Sequence, residues 1–533
     1  MPKKIELSII VILFIFVFYC ALTIGIPWDE GFEMTRGKER LKYIFSLGSY
    51  KIYWNYQSEE FNPGFYSTLA IFITNMFPKK FENEIFHLTN SLFSILTVFG
   101  IYKISSILFN KKVGKIIFLL CFLNPIFFGH MAMNSKDTIV AFANVWSTYI
   151  FLRYLQDQKK NCNRRILLAG LTIGLGTGVR IPFVITLIPL FFFSIIDIFF
   201  FKKIANQNFS FKKFVIHLIP VFVIAYLITI SAWPQVHENI FTKPFEIASN
   251  VGNTKIHIFG ILWMLLNGDF FSTSQPPPLY VIINFFYKSP EFILLCYVIF
   301  IYFIISNKKF FLSEFKFFFS KILLILFIFL FPTLFLIFLP YRVYDGLRLF
   351  LYLIPYFSII PGITIYYLIL KFNSSVSKIL LGGVGVLFVY YFFVFIIITP
   401  YHYTYLNKLN GNFFDSHKRF ENDYWGISIK ELVKKIPTET NLISSNKKVK
   451  ISFCGVSNSL VKDELNKLKN LKYVEKNLFL NDFDYIVMTN RAVKLQNNNS
   501  SSDVKSCFVN FKGEDLISVK RNGLVLSTLR SKF

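Results

Sequence analysis

The sequence predicts a polytopic α-helical membrane protein of about eleven spans that ends in a small α/β domain. Three observations carry this. Hydrophobic residues make up 54% of the 533-residue chain, mean hydropathy is +0.50, and phenylalanine alone fills 68 positions, far above a soluble domain. Apolar runs recur near 6–27, 86–108, 113–129, 138–155, 165–178, 182–202, 213–233, 289–306, 319–340, 347–370 and 377–399, most of them close to the roughly 20 residues that a bilayer requires. From about residue 400 the apolar runs shorten and Lys, Asn, Asp and Ser take over.

The first run, Ile5 to Ile26, exceeds the ~7–15 apolar residues of a signal-peptide core and lacks a small-x-small site before Trp28, so it reads as a retained span. Net charge is 57 − 31 = +26, which in a soluble protein would suggest nucleic acid. Here the bases gather in short loops: Lys111, Lys112 and Lys115, then Arg153 to Arg165, Lys202 to Lys213, Lys308 to Lys321, and Lys371 with Lys378. Alternating spans place all of these on the side of Lys3 and Lys4, and positive charge in short loops marks the cytoplasm. The expectation is a multi-pass protein of the inner (plasma) membrane with a cytoplasmic N-terminus. Loops 28–85, 130–137, 179–181, 234–288 and 341–346, and the tail from Pro400, then face outward. No nucleic-acid motif accompanies the bases, and none is expected as a partner.

Within loop 28–85, FYSTLAIFITNMF is about half a span and suits an interfacial or re-entrant helix; Ile256 to Leu266 is a similar piece, followed by the helix-breaking QPPPLY. The chain divides into a transmembrane domain, 1–399, and an extracytoplasmic soluble domain, 400–533. In the latter, SIKELVKKI and VKDELNKLKN have helical periodicity, while VKISF, DYIVMT and GEDLISVKRNGLVLSTL read as strands, the last as a hairpin. Six cysteines are scattered without a C-x-x-C spacing, so no metal site is assigned. Cys454 and Cys507 lie in the polar region, where an oxidising space would let them pair.

Acids crowd the outer surface at two places: Asp29, Glu30 and Glu33 in GIPWDEGFEM, and Asp137 beside Lys136 in HMAMNSKD. Any one of them is, on its own, most simply a solvated loop acid. Yet Trp28 sets the first group at the interface, where a partly desolvated carboxylate can act as a base, and Lys136 with Asp137 supplies a cation and an acid together. Arg180 lies at a break between short spans, and Arg342 and Arg348 flank YRVYDGLRLF, which also holds Tyr344 and Asp345. Arginines at span ends often only snorkel, but outer loops are where positive charge is depleted. Arginine clamps oxyanions, so acid plus arginine at this depth fits group transfer from a lipid phosphate. The candidate catalytic residues are Asp29, Glu30 and Asp137, and the candidate substrate-binding residues are Lys136, Arg180, Arg348, Tyr344 and Asp345, with Arg348 first for the phosphate.

The order of features resembles the polytopic glycosyltransferases of the GT-C superfamily, in particular bacterial family 39 members related to protein O-mannosyltransferases and aminoarabinose transferases. The resemblance rests on WDE at 28–30, NPGFY at 62–66, NPIFFGHMAMNSKDT at 124–138, GVRIP at 178–182, PPLYVIINFFYKSPEFIL at 277–294, YDGLRLFLYLIP at 344–355, and PYHYTYLNKLNG with FENDYWGISIKE between Pro400 and Glu431. It implies a sugar taken from a polyprenyl phosphate and passed to a hydroxyl on a lipid, glycan or protein outside the cytoplasm, with Asp29 as catalytic acid/base. Its implied partners are the lipid-linked donor, membrane lipids and an acceptor left open; the lipid-linked sugar is a substrate, so no cofactor is expected. The rival is a flippase or transporter of lipid-linked sugar, against which stand the few charges within spans and the lack of paired halves with matching broken helices.

Overall fold

The structure, a computed structural model, describes residues 3–52, 62–249, 262–411, 413–440, 442, 448–480, 482–494 and 504–532. Helices occupy every apolar run: Lys3–Thr23, Glu82–Leu108, Lys111–Phe122 with Pro125–His130, Asp137–Gln156, Cys162–Val179, Ile188–Ile196 entered through the 3-10 turn Ile181–Leu187, Phe211–Ser231, Glu291–Ser306, Phe318–Phe338, Ile359–Leu370 and Ser375–Ile397. Among the described residues, seven helical stretches are long and apolar enough to cross a bilayer, and an eighth forms if Tyr280–Lys288 and Glu291–Ser306, bent by 112°, count as one. The other three runs fall short for visible reasons. Lys111–His130 breaks at Asn124, whose side chain caps the next turn at Phe127 N, 3.0 Å away. Asp137–Gln156 and Cys162–Val179 carry polar groups turned inward, where Ser147 donates to Thr172 at 2.9 Å and Asn144 accepts from Tyr356 at 2.8 Å.

The connections sort into two ends. At one, Lys115 meets Glu6 at 2.7 Å and the Tyr366 hydroxyl joins Asn110 to Glu314. At the other gather residues 25–45, 130–137, 180, 342–348 and the chain beyond Pro400, through the contacts described below. The first loop folds into a helix, Glu30–Phe45, that polar composition hides in the sequence; it buries Met34, Gly37, Arg40 and Leu41 along one face. FYSTLAIFITNMF forms the ten-residue helix Phe65–Thr74, about half a span as expected. Gly64 precedes it at φ +77°, and a Cβ there would stand 2.0 Å from the Arg40 guanidinium, whose Nη2 donates to Asn62 O at 2.7 Å.

The expected apolar helix at Ile256 to Leu266 is corrected: residues 256–261 lie outside the described ones, and Trp263–Leu266 is a strand, β1, paired antiparallel with β2, Asp269–Ser272. Asn267 and Gly268, both at positive φ, make the tight turn that favours a hairpin over a helix. Beyond Pro400 a five-stranded sheet forms from β3 (Val449–Cys454), β4 (Tyr473–Glu475), β5 (Tyr485–Thr489), β8 (Glu514–Arg521) and β9 (Leu524–Ser531), in the order β4-β3-β5-β9-β8. Strands β4, β3 and β5 run parallel and β9 and β8 antiparallel, the last two joined by a second Asn-Gly turn at Asn522 and Gly523. A small antiparallel pair, β6 (Ala492–Lys494) and β7 (Val504–Ser506), leads to Cys507, which is bridged to Cys454. Helix Ile429–Glu439 stands where periodicity placed it, while Asn458–Leu465 takes in only the first half of VKDELNKLKN, residues 461–465.

Candidate active site

Arg348 organises the outer end. It opens the 3-10 turn Arg348–Leu353 before Ile354–Phe357 and is 3% exposed, with its guanidinium shared among three carboxylates, one of them three residues back and two from distant parts of the chain. Nε donates to Asp137 at 3.0 Å, Nη1 to Asp345 at 2.9 Å and Nη2 to Asp29. The guanidinium carbon lies 5.4 Å from the Tyr344 ring centre and 4.5 Å from that of Trp425. A planar fork with five donors can serve three acids in fixed directions, which an ammonium cannot.

Each acid has further partners. Asp137 opens its helix and accepts from Arg180 Nη2 at 3.2 Å and Asn134 Nδ2 at 3.1 Å. Burial raises its pKa, but Arg180 and Arg348 prevail and hold the carboxyl below its usual range. Asp345, in the left-handed conformation at φ +57°, accepts from Arg491 at 3.2 Å and from the Trp425 indole at 3.3 Å. Asp29 starts the helix Glu30–Phe45 without capping it, so its carboxylate is free to reach Arg348. Burial pushes Asp29 up, yet the charges of Arg348, Lys136 and Arg180 outweigh it and keep the carboxyl well below the ordinary carboxylate range.

Exposure separates the members of the cluster. The side chains of Asp137 and Asp345 are 5% and 3% exposed, whereas Asp29 is 33%, Arg180 23% and Lys136 14% exposed. The accessible mouth therefore holds one carboxylate and two cations over a buried arginine hub. Lys136 also meets Glu33 at 2.6 Å; burial raises the pKa of Glu33, but Lys136 and Arg36 bring it down to about 2.

Of the residues expected from sequence, Asp29, Lys136, Asp137, Arg180, Tyr344, Asp345 and Arg348 are brought together. Glu30 is not. It points beneath the loop, 1% exposed, and meets His87 Nε2 at 2.9 Å, while Nδ1 of the same ring meets Ala21 O at 2.9 Å. Burial raises the pKa of Glu30 despite that neighbour. Sequence reasoning missed Arg491, Asn134 and His130 as supports of the site. His130 is buried against the Tyr424 hydroxyl at 2.9 Å, and burial takes its pKa down to about 3, so the ring is neutral. No local pattern marks Arg491, which reaches Asp345 across 146 residues and lies 5.1 Å from the Trp28 ring centre. Among the described residues no group of three or more metal-ligating side chains is present.

The same arrangement of helices is found elsewhere. The structure is similar over nearly its whole length to two structures of ArnT from Cupriavidus metallidurans, each matched over 99% of this chain and 98% of that one. The apo form gives a TM-score of 0.50 at 10% identity, and the form bound to undecaprenyl phosphate gives 0.51 at 8%. A search of curated protein sequences finds no match. Residues 65–233 match the family model described as dolichyl-phosphate-mannose-protein mannosyltransferase. The chain thus shares its fold with the two ArnT structures, and residues 65–233 carry a sequence match to the dolichyl-phosphate-mannose-protein mannosyltransferase family model.

Proposed function

We propose that the protein transfers a sugar from a polyprenyl-phosphate donor to an acceptor hydroxyl on the extracytoplasmic face of the membrane, with Asp29 as general base. The observation that carries this is the half-buried Asp29 carboxylate, the most accessible acid of the cluster, held by Arg348 beside the partly accessible cations Lys136 and Arg180. The undecaprenyl phosphate bound to the similar ArnT, and the family description matching residues 65–233, support a lipid-phosphate donor.

The acceptor oxygen forms a bond to the anomeric carbon as the bond from that carbon to the phosphate oxygen breaks, and the hydroxyl proton passes to Asp29. Polyprenyl phosphate departs with the electron pair and needs no acid, so one carboxylate suffices. Lys136 and Arg180 stabilise the growing charge on the phosphate. Arg348, the first choice from sequence for the phosphate, is committed to three carboxylates; in this reading it orients Asp29 and leaves the phosphate to its neighbours. Glu30, paired with His87, secures the loop beneath. The Cys454–Cys507 bridge and the basic loops at the opposite end support an outward-facing site and C-terminal domain in a plasma or inner membrane.

Purified protein in proteoliposomes with radiolabelled polyprenyl-phosphate sugar tests the reading. Label is expected to leave the lipid and become covalently attached to an acceptor hydroxyl. Label that crosses the bilayer while still on the lipid would instead establish the flippase, which the family-model match does not favour.

A further inference from the structure

Beside Asp345, around Gly346, the protein buries a second set of polar atoms that the transfer step leaves unused. Lys288 ends the helix Tyr280–Lys288 and is 5% exposed. Its ammonium faces the ring of Tyr424, 5.6 Å from the centre, and makes no ion pair among the described residues, although the carboxylates of Glu421 and Asp345 are near enough to act on its charge. Asn284 stands one turn earlier on the same face. Its amide N–H donates to Tyr280 O at 2.9 Å, which leaves Oδ1 fully buried without a partner. Glu421 comes from the segment after Pro400; one oxygen accepts from Ala492 N at 2.9 Å and the other is buried with no partner.

Lys288 and Asn284 meet at Gly346, and Glu421 is near enough to Lys288 to act on its charge. A Cβ on Gly346 would stand 2.6 Å from Lys288 Nζ and 3.5 Å from Asn284 Oδ1. Unmatched polar atoms this deep are costly, and several in one neighbourhood indicate that something else completes them.

The donor and acceptor pattern selects the chemistry. An ammonium offers only donors, while the amide oxygen and the carboxylate offer acceptors. A phosphate would be repelled by the two acceptors and a cation by Lys288, whereas neighbouring hydroxyls, each able both to give and to accept, satisfy all three. Asp345 is the residue next to Gly346 and binds the same guanidinium as Asp29. We infer that Asn284, Lys288 and Glu421 form the subsite for the hydroxyls of the transferred sugar, beside Asp345 and Gly346. This rests on the transferase reading above.

The test is equilibrium binding to full-length protein in nanodiscs of bare undecaprenyl phosphate, undecaprenyl-phosphate mannose and undecaprenyl-phosphate glucose. Wild type is expected to bind at least one sugar-bearing lipid about tenfold or more tighter than the bare lipid. Lys288→Met and Glu421→Gln should each erase that preference while keeping bare-lipid affinity within about twofold. Should Lys288→Met fail to fold, Asn284→Ser, which removes the amide oxygen in a smaller polar side chain, carries the same comparison. Variants that retain the preference, or that lose bare and sugar-bearing lipid equally, overturn the subsite, as does a wild type that transfers sugar yet shows no preference for either sugar-bearing lipid. A wild type that binds none of the three lipids and transfers no label fails the transferase reading itself, and the subsite falls with it.

Discussion

Arg348 decides how the outer acids behave, because three carboxylates share its charge and two of them are buried. Removing one partner of a buried ion pair costs about 3–5 kcal/mol, so Arg348→Ala should lose folded yield as well as activity, read as a fall in the thermal midpoint of the detergent-solubilised protein. Arg348→Lys should restore folding only in part, since one ammonium cannot span three acids. Lys136→Ala, at the accessible mouth, should leave the fold in place and raise the KM for the lipid donor. The pH response follows from Asp29. Its free carboxyl lies below the usual range, so base function is present above that value and is lost as pH falls through it. A bound donor phosphate offsets the charges of Lys136 and Arg180 and raises the carboxyl, so the acid limb of kcat should lie at higher pH than that of kcat/KM; coincident limbs would count against the phosphate lying between those cations. Asp29, Asp137, Arg180 and Arg348 could be named from sequence because charges flanking apolar runs on the outer side run against expectation. Which of them pair could not be read, because Arg348 meets Asp29 across 319 residues and Asp137 across 211.

At the level of elements, the helix Glu30–Phe45 and the tail segment around Trp425 are the two pieces that bring Asp29 and Asp345 to one arginine. Trp425→Phe keeps a ring beneath Arg348 and loses the indole N–H to Asp345, whereas Trp425→Ala loses both. A desolvated cation–π contact is worth about 2 kcal/mol, so the alanine variant should lose roughly an order of magnitude more turnover than the phenylalanine one. Equal turnover in the two variants would show that the stacking does not hold the hub. Gly64→Ala should destabilise the first loop by about 1–3 kcal/mol from backbone strain alone, with the Arg40 contact adding to it, seen as faster proteolysis of that loop. Strong periodicity made the long helices and the C-terminal strands legible. The helix Glu30–Phe45 was hidden because its buried face includes Gly37 and Arg40 rather than a continuous apolar stripe. The hairpin of β1 and β2 was misread because four apolar residues before Asn267-Gly268 fit either period, and only the turn decides between them.

Across the whole molecule, one end is basic and the other gathers the acids, the cations of the site and the disulfide-bearing domain. A reporter active only outside the cytoplasm should therefore work when fused after residue 420 or within 40–60, and fail when fused near 158 or 310; activity at 158 would reverse the orientation. The fold class was readable because hydropathy and loop charge are properties of the entire chain, while the number of true spans was not, since broken and polar-lined helices such as Lys111–Phe122 and Cys162–Val179 depend on neighbours to complete them. The central claim is sugar transfer with Asp29 as base, and turnover of Asp29→Asn in proteoliposomes measures it most directly. General-base help is worth about 10²–10⁴-fold, so the variant should fold and insert as wild type does and transfer sugar slower by about that factor. Transfer by Asp29→Asn at the wild-type rate would contradict the account.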